Sequence, residues 1–233
     1  MTTLRICFVG DSITVGVGDD AWNGWPTRLC VAERQRGHNL TPYNLGIRGD
    51  TSDDIRRRWG IECTPRLVEP WAGGIVFAFG INDACRRAGD RRIALAQSLE
   101  NARAIVGAAA LWKPTLWIGP TNVDPSRQPC RVLKNGDIHE FDNRSIARIS
   151  SAFENVARDL GVPYLNLCRV LSGDRRWITA LAAGDGVHPN FDGHERIAEA
   201  IGAWRHWRTW LQEDDNDRLP AVSIKESDCG PKD

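Results

Sequence analysis

The chain has no net charge, no long apolar run and no paired-cysteine motif. Its 233 residues carry 30 Lys+Arg against 30 Asp+Glu. Balanced charge leaves no basic field for general nucleic-acid binding or for docking on an anionic membrane. No stretch approaches the roughly eighteen consecutive apolar residues that a membrane span needs. The first residues run straight into an apolar segment, with no basic leader followed by a signal-type core. The seven cysteines (Cys7, Cys30, Cys63, Cys85, Cys130, Cys168 and Cys229) are scattered and odd in number. That argues against a disulfide framework or a zinc site, and the expectation is buried free thiols in a reducing, cytoplasmic setting. Neither a G-x-G-x-x-G after the first apolar run nor a P-loop pattern occurs, which removes the usual nucleotide-binding signatures.

A 42% hydrophobic content is ordinary for a globular domain. The length suits one α/β domain, large enough to fold without staples. The expected division is a domain over 1–212 followed by a polar, flexible tail over 213–233, rich in Asp, Pro, Lys and Ser. Within the domain, β-type runs at 5–9, 41–45, 75–79, 115–118 and 163–167 alternate with helical stripes. Three of the runs are almost continuously apolar, as parallel strands buried on both faces should be. Leu95, Leu99, Ala102, Val106 and Ala109 recur at helix spacing, as do Ile146, Ile149, Phe153, Val156 and Leu160. Ile197, Ile201, Trp204, Trp207 and Leu211 predict one last helix, with Asp192 as its N-cap and Glu195 completing a capping box. On that stripe Trp204 and Trp207 read as core, and Trp210, off it, as an exposed partner contact. The pattern predicts a three-layer α/β/α sandwich around a parallel sheet, with any ligand beyond the carboxyl ends of the strands.

Those strand ends carry chemistry-bearing residues. Gly10-Asp11-Ser12 follows the first strand and Asn44-Leu45-Gly46-Ile47-Arg48-Gly49-Asp50-Thr51 comes at the end of the second. Gly80-Ile81-Asn82-Asp83 follows the third, and Asp185-Gly186-Val187-His188-Pro189 precedes the last helix. Taken singly, each reads as a turn. Together they supply what acyl transfer requires: a hydroxyl nucleophile, an imidazole base, a carboxylate to orient it and oxyanion donors. The Asp-x-x-His spacing lets one turn bring the Asp185 carboxylate to Nδ1 of His188.

The four blocks, in this order and over most of the chain to about Trp210, resemble the SGNH hydrolases, also called the GDSL esterase/lipase family. The first block reads Ser-Ile-Thr where the family name implies Ser-Leu, at a packing position. The resemblance implies a flavodoxin-like five-stranded parallel sheet of order 2-1-3-4-5. It implies Ser12 as nucleophile, His188 as general base and acid, and Asp185 as its orienting carboxylate. The implied oxyanion hole is the backbone N–H of Ser12 and Gly49 with the side-chain amide of Asn82. The implied activity is cofactor-free and metal-free hydrolysis of small-molecule carboxylic esters through an acyl-serine.

Other residues carry weaker signals. Trp22 and Trp25 follow the nucleophile block and suit either the lining of an acyl or alcohol pocket or ordinary packing. Arg48 and the Arg86-Arg87 pair lie beside rim blocks and suit an anionic substrate group, with solvated charge the simpler account. His194 falls at the start of the last helix, and His38, His139 and His206 read as surface residues. The segment 120–142 is longer and more polar than a minimal connection. With no long apolar lid, short-chain or sugar-linked esters are expected over emulsified lipid. Three other functions share these features: O-acyl transfer or deacetylation at a sugar-linked acyl group, a non-catalytic small-ligand module of flavodoxin type, and a scaffold acting through its tryptophan-bearing last helix.

Overall fold

Apolar runs without alternation build the centre of the molecule. In the computed structural model, which describes residues 3–131 and 138–216, β1 (Leu4–Gly10) is buried along almost its whole length. It pairs in parallel with β2 (Leu40–Gly46) on one side and β3 (Gly73–Ala78) on the other. β4 (Thr115–Ile118) and the short β5 (Tyr164–Leu165) complete a five-stranded parallel sheet of order 2-1-3-4-5. The expected sheet is thus the observed one. Gly10 lies opposite both Gly46 and Ala78, so the carboxyl ends of the three longest strands finish level.

Two helical layers cover this sheet. On one face α1 (Gly24–Gln35) packs against α6 (Phe191–Gly202), which in turn contacts α5 (Arg175–Ala182) and α7 (Arg205–Asn216). On the other, α2 (Ser52–Cys63), α3 (Leu95–Trp112) and α4 (Asn143–Asp159) pack side by side. Their starts have local causes: Asp142 accepts from Ser145 N–H, Asp174 from Trp177 N–H, and Asp54 from Thr51 N–H at 3.0 Å. The interior between sheet and second layer is aromatic. Phe79 stacks on Trp117 with ring centres 5.2 Å apart, and Phe153 lies 4.7 Å from Trp117. This packing fills the space beneath the ends of β3 and β4.

The end of the chain differs from its expectation in three ways. The predicted single last helix is two, α6 and α7, broken at Ala203 and Trp204. Its cap is Asn190, whose side chain accepts from the N–H groups of Asp192 and Gly193, and Asp192 sits inside the first turn. Trp210, expected at the surface, is buried against Gly74 of β3, where any Cβ would overlap its ring. Trp207 is core as expected, and Trp204 is half-buried. Glu33 explains the docking of α7: its fully buried carboxylate accepts from Trp207 Nε1 at 3.2 Å and pairs with Arg208 and Arg36. α7 continues past Glu213 into the segment expected as a tail, and 217–233 lies outside the described residues.

A second element has no counterpart in the sequence reading. Arg86–Arg87, Asp90–Arg91, Cys130–Arg131 and Ile138–Glu140 form a four-stranded antiparallel sheet. The long polar connection after β4 is therefore paired in part with the hairpin that follows β3. Among the described residues no helix is long and apolar enough to cross a membrane.

Candidate active site

Ser12 opens a single helical turn, Ser12–Val15, directly after β1. The turn is tight because a Cβ at Gly10 would overlap Thr14 Oγ1 and the Ala78 carbonyl oxygen. Asp11 caps it, with Oδ1 accepting from Ile13 N–H at 3.0 Å. At the other end of the chain, Asp185 Oδ1 accepts from the N–H groups of Val187 (2.9 Å) and His188 (2.8 Å), which folds the loop into an Asx-type turn. This leaves Asp185 Oδ2 at 2.6 Å from His188 Nδ1, and His188 Nε2 lies 2.9 Å from Ser12 Oγ. Carboxylate, imidazole and hydroxyl stand in one hydrogen-bonded line across 176 positions of sequence. In such a line the imidazole can take the hydroxyl proton while the carboxylate supports the charge that forms. Partial burial opposes the charge on Asp185, but the His188 ring and the two backbone N–H groups outweigh it and hold the carboxyl well below the usual carboxylate range.

The other two blocks reach the same rim. Gly49 adopts φ +84°, a left-handed conformation that favours glycine. Asn82 lies in the turn Ile81–Ala84 after β3 and is buried. Its Nδ2 donates to Asp50 O at 2.9 Å, leaving a second N–H on that nitrogen. Among the described residues neither the Ser12 nor the Gly49 backbone N–H has a protein acceptor. Asp83 closes the arrangement from behind, accepting from Ser52 N–H at 2.8 Å.

Asp11 behaves unlike an ordinary carboxyl. Burial pushes it from 3.8 up to about 7; the neighbouring Asp50 and Asp83 carboxylates add to this, and the Ile13 N–H bond offsets only part. An acid with a raised folded pKa holds its proton in the folded chain after the unfolded chain has lost it. Stability therefore falls as pH rises from about 4 to about 7, by a few kcal/mol at about 1.4 kcal/mol per pH unit. Asp11→Asn keeps an oxygen acceptor for Ile13 and removes the titration. Melting temperatures measured from pH 5 to 8 are expected to diverge in favour of the variant as pH rises; parallel curves would contradict this account.

The remaining sequence candidates separate. Trp22 is 63% exposed, has φ +52°, and belongs to a loop braced by Asp19, which accepts from Ala21 N–H, Gly24 N–H and Arg28. Arg48 is exposed and has no ion pair among the described residues. Trp25, for which the sequence allows pocket lining or ordinary packing, is packed: it is 1% exposed, lies edge-on to Phe8, and borders a cavity of about 20 Å³, room for about one water molecule. Arg86 braces its own hairpin by donating to Gly89 O. His194 is fully buried with Nε2 3.1 Å from Val17 O, and burial lowers its pKa. Six cysteines are free, five of them buried, and Cys229 lies outside the described residues. Among the described residues no group of three His, Cys, Asp or Glu is placed to hold a metal ion.

Two arginines that no motif marks are built into the rim. Arg58 donates to Gly10 O (2.8 Å) and Leu45 O (2.9 Å) and pairs with Asp50 (2.6 Å), tying the ends of β1 and β2 together. Arg92 donates to Asn82 Oδ1 and to Gly49 O. Arg58 is the last of three consecutive arginines on a helix and Arg92 the second of a pair, so nothing in the residue pattern distinguishes them from solvated charge.

Solved structures with the same fold include a lipase/acylhydrolase from Enterococcus faecalis (23% identity, TM-score 0.69, covering 90% of this chain and 96% of that one). The esterase EstA from a Pseudoalteromonas species matches at 19% identity and TM-score 0.63, over 89% and 98% of the two chains. The acetylxylan esterase Axe2 from Geobacillus stearothermophilus matches at 17% identity and TM-score 0.64, over 87% and 95%. At these identities the likeness concerns the fold. Comparison with curated protein sequences gives no significant match. The sequence does match one family over residues 8–196, a span that takes in all four rim blocks, and on that match the chain belongs to the GDSL-like lipase/acylhydrolase family and is an esterase-type hydrolase.

Proposed function

We propose that the chain hydrolyses carboxylic esters of small molecules through a covalent acyl-serine formed on Ser12. The observation that carries this reading is the unbroken line Asp185 Oδ2, His188, Ser12 Oγ at 2.6 and 2.9 Å. With Nδ1–H held by Asp185, the Nε2 lone pair faces the Ser12 hydroxyl, which is the tautomer a general base needs. His188 takes the Ser12 proton as Oγ attacks the ester carbonyl, and the carbonyl π electrons move onto oxygen. The Ser12 N–H, the Gly49 N–H and the second Asn82 Nδ2–H stabilise that oxyanion. Its collapse expels the alkoxide, which takes the proton from His188. Water, deprotonated by the same imidazole, then attacks the acyl-serine and releases the acid with Ser12 restored.

Trp22 and Arg48 are the side chains we assign to substrate contact, an exposed aromatic face and an exposed cation next to the Ser12 and Gly49 turns. The test is turnover of p-nitrophenyl esters from acetate to palmitate, with an acetylated sugar in parallel, and covalent labelling by a fluorophosphonate. Nitrophenol release together with labelling at Ser12 supports the reading. The absence of both turnover and labelling in a folded protein overturns it. Transfer of the acyl group to an added alcohol in preference to water would instead favour an acyltransferase. Asn82→Ala is expected to lower kcat by about 10²–10³-fold, the usual loss for one oxyanion donor. A loss under about threefold in steady-state kinetics would remove Asn82 from that role.

A further inference from the structure

We propose that Arg92 is a positioning residue for the oxyanion hole, fixing the Asn82 amide and the Gly49 turn through one guanidinium; the inference rests on the reading of those two residues as oxyanion donors. Nη1 donates to Asn82 Oδ1 at 3.1 Å and Nη2 to Gly49 O at 2.8 Å. A planar guanidinium presents its N–H groups in a fixed fork. It therefore couples two rim blocks that are far apart in sequence.

The Asn82 amide has two possible orientations, and its neighbours allow one. Asp50 O, 2.9 Å away, accepts and so demands Nδ2. Arg92 only donates and so demands Oδ1. A flipped amide would set oxygen against the Asp50 carbonyl and nitrogen against a cation, and would present a lone pair where the ester oxygen becomes negative. Arg92 thus selects the orientation in which Asn82 keeps an N–H for the oxyanion. A cation bonded to Oδ1 also withdraws charge from the amide, which makes that N–H a stronger donor.

The charge itself is set aside for this purpose. Arg92 is half-buried, and among the described residues its side chain meets two neutral carbonyl oxygens and no carboxylate. Its own N–H donates to Cys85 O at 3.0 Å, closing the loop that holds the Arg86–Arg87 and Asp90–Arg91 hairpin. That hairpin is pinned by pairing with Ile138–Glu140. The antiparallel sheet therefore has a task at the rim: it supplies the rigid base from which Arg92 reaches inward.

The test measures p-nitrophenyl acetate kinetics and fluorophosphonate inactivation rates for the wild type, Arg92→Ala, Arg92→Lys, Asn82→Ala and the Arg92→Ala/Asn82→Ala double variant. Arg92→Ala is expected to lower kcat roughly 10–100-fold, less than loss of the donor itself, with KM within about threefold. The share of the Arg92 effect that runs through Asn82 vanishes once Asn82 is gone, so the double variant should lose clearly less than the product of the two single effects, with the remainder belonging to Gly49. Arg92→Lys should remain at least about fivefold below the wild type, since a single ammonium does not match the two-pronged fork. Effects that multiply in the double variant, a loss confined to KM, or a kcat within about threefold of the wild type for Arg92→Ala would overturn the proposal. If Arg92→Ala does not fold, Arg92→Lys decides: full wild-type kcat overturns the proposal, and a fall in kcat at unchanged KM and melting temperature supports it. A folded wild type that neither turns over nor labels overturns the esterase mechanism and this inference together, whereas a labelled wild type with multiplying effects overturns only the role of Arg92.

Discussion

Ser12→Ala and His188→Ala are each expected to reduce esterase kcat by on the order of 10⁴–10⁶-fold, and the double variant to be little worse than either. In the proposed mechanism the hydroxyl and the imidazole, 2.9 Å apart, act as one unit. Removing the hydroxyl leaves no atom to acylate. Removing the imidazole leaves a hydroxyl that cannot lose its proton at neutral pH. Residual rate over water, on the order of 10³-fold, is then expected from the oxyanion donors and substrate binding alone. Steady-state kinetics on p-nitrophenyl butyrate, with circular dichroism to establish folding, measures this. Fluorophosphonate labelling provides a second readout, lost in the serine variant. Labelling that persists in Ser12→Ala would place the nucleophile elsewhere.

Asp185→Asn is expected to cost about 10⁴-fold in kcat while leaving the fold intact. Two backbone N–H groups donate to Asp185 Oδ1, so an asparagine keeps its oxygen there and turns its nitrogen toward His188. An amide N–H facing Nδ1 forces the imidazole to carry its proton on Nε2. That N–H then points at Ser12 Oγ, and the lone pair needed to accept the serine proton is gone. The variant retains both turn bonds, so its melting temperature near pH 7 should stay within a few degrees of the wild type. A loss of less than about tenfold would show that Asp185 does not set the tautomer.

Local patterns explain what the sequence makes legible. β1 and β3 are buried on both faces, and such strands must be nearly continuous in apolar residues. The stripes of α3 and α4 face a packed sheet and so repeat every three to four residues. The rim blocks stood out because each combines a turn with a reactive or polar side chain. Elements without a local pattern were missed. Strands of two or three residues such as Arg86–Arg87 and Ile138–Glu140 are too short to alternate. The break at Ala203 and Trp204 falls inside an apolar stripe that continues through it. Asp192 and Asn190 are both good caps by type, and only the bonds that Asn190 accepts decide between them.

The sequence by itself determined the fold class, the strand order implied by its family blocks, and the chemical identity of the residues at the rim. Fold class and rim chemistry depend on short-range periodicity and turn chemistry, which each segment carries regardless of its neighbours; the strand order follows only from the resemblance of the four blocks to a family. The tertiary structure decided what depends on contacts between distant segments. It sets His188 against Ser12, buries Trp25 and Trp210, and turns two unmarked arginines, Arg58 and Arg92, into braces for the rim. An arginine on a surface and an arginine holding two carbonyls look alike in sequence. What distinguishes them is which acceptors the packed layers bring within about 3 Å.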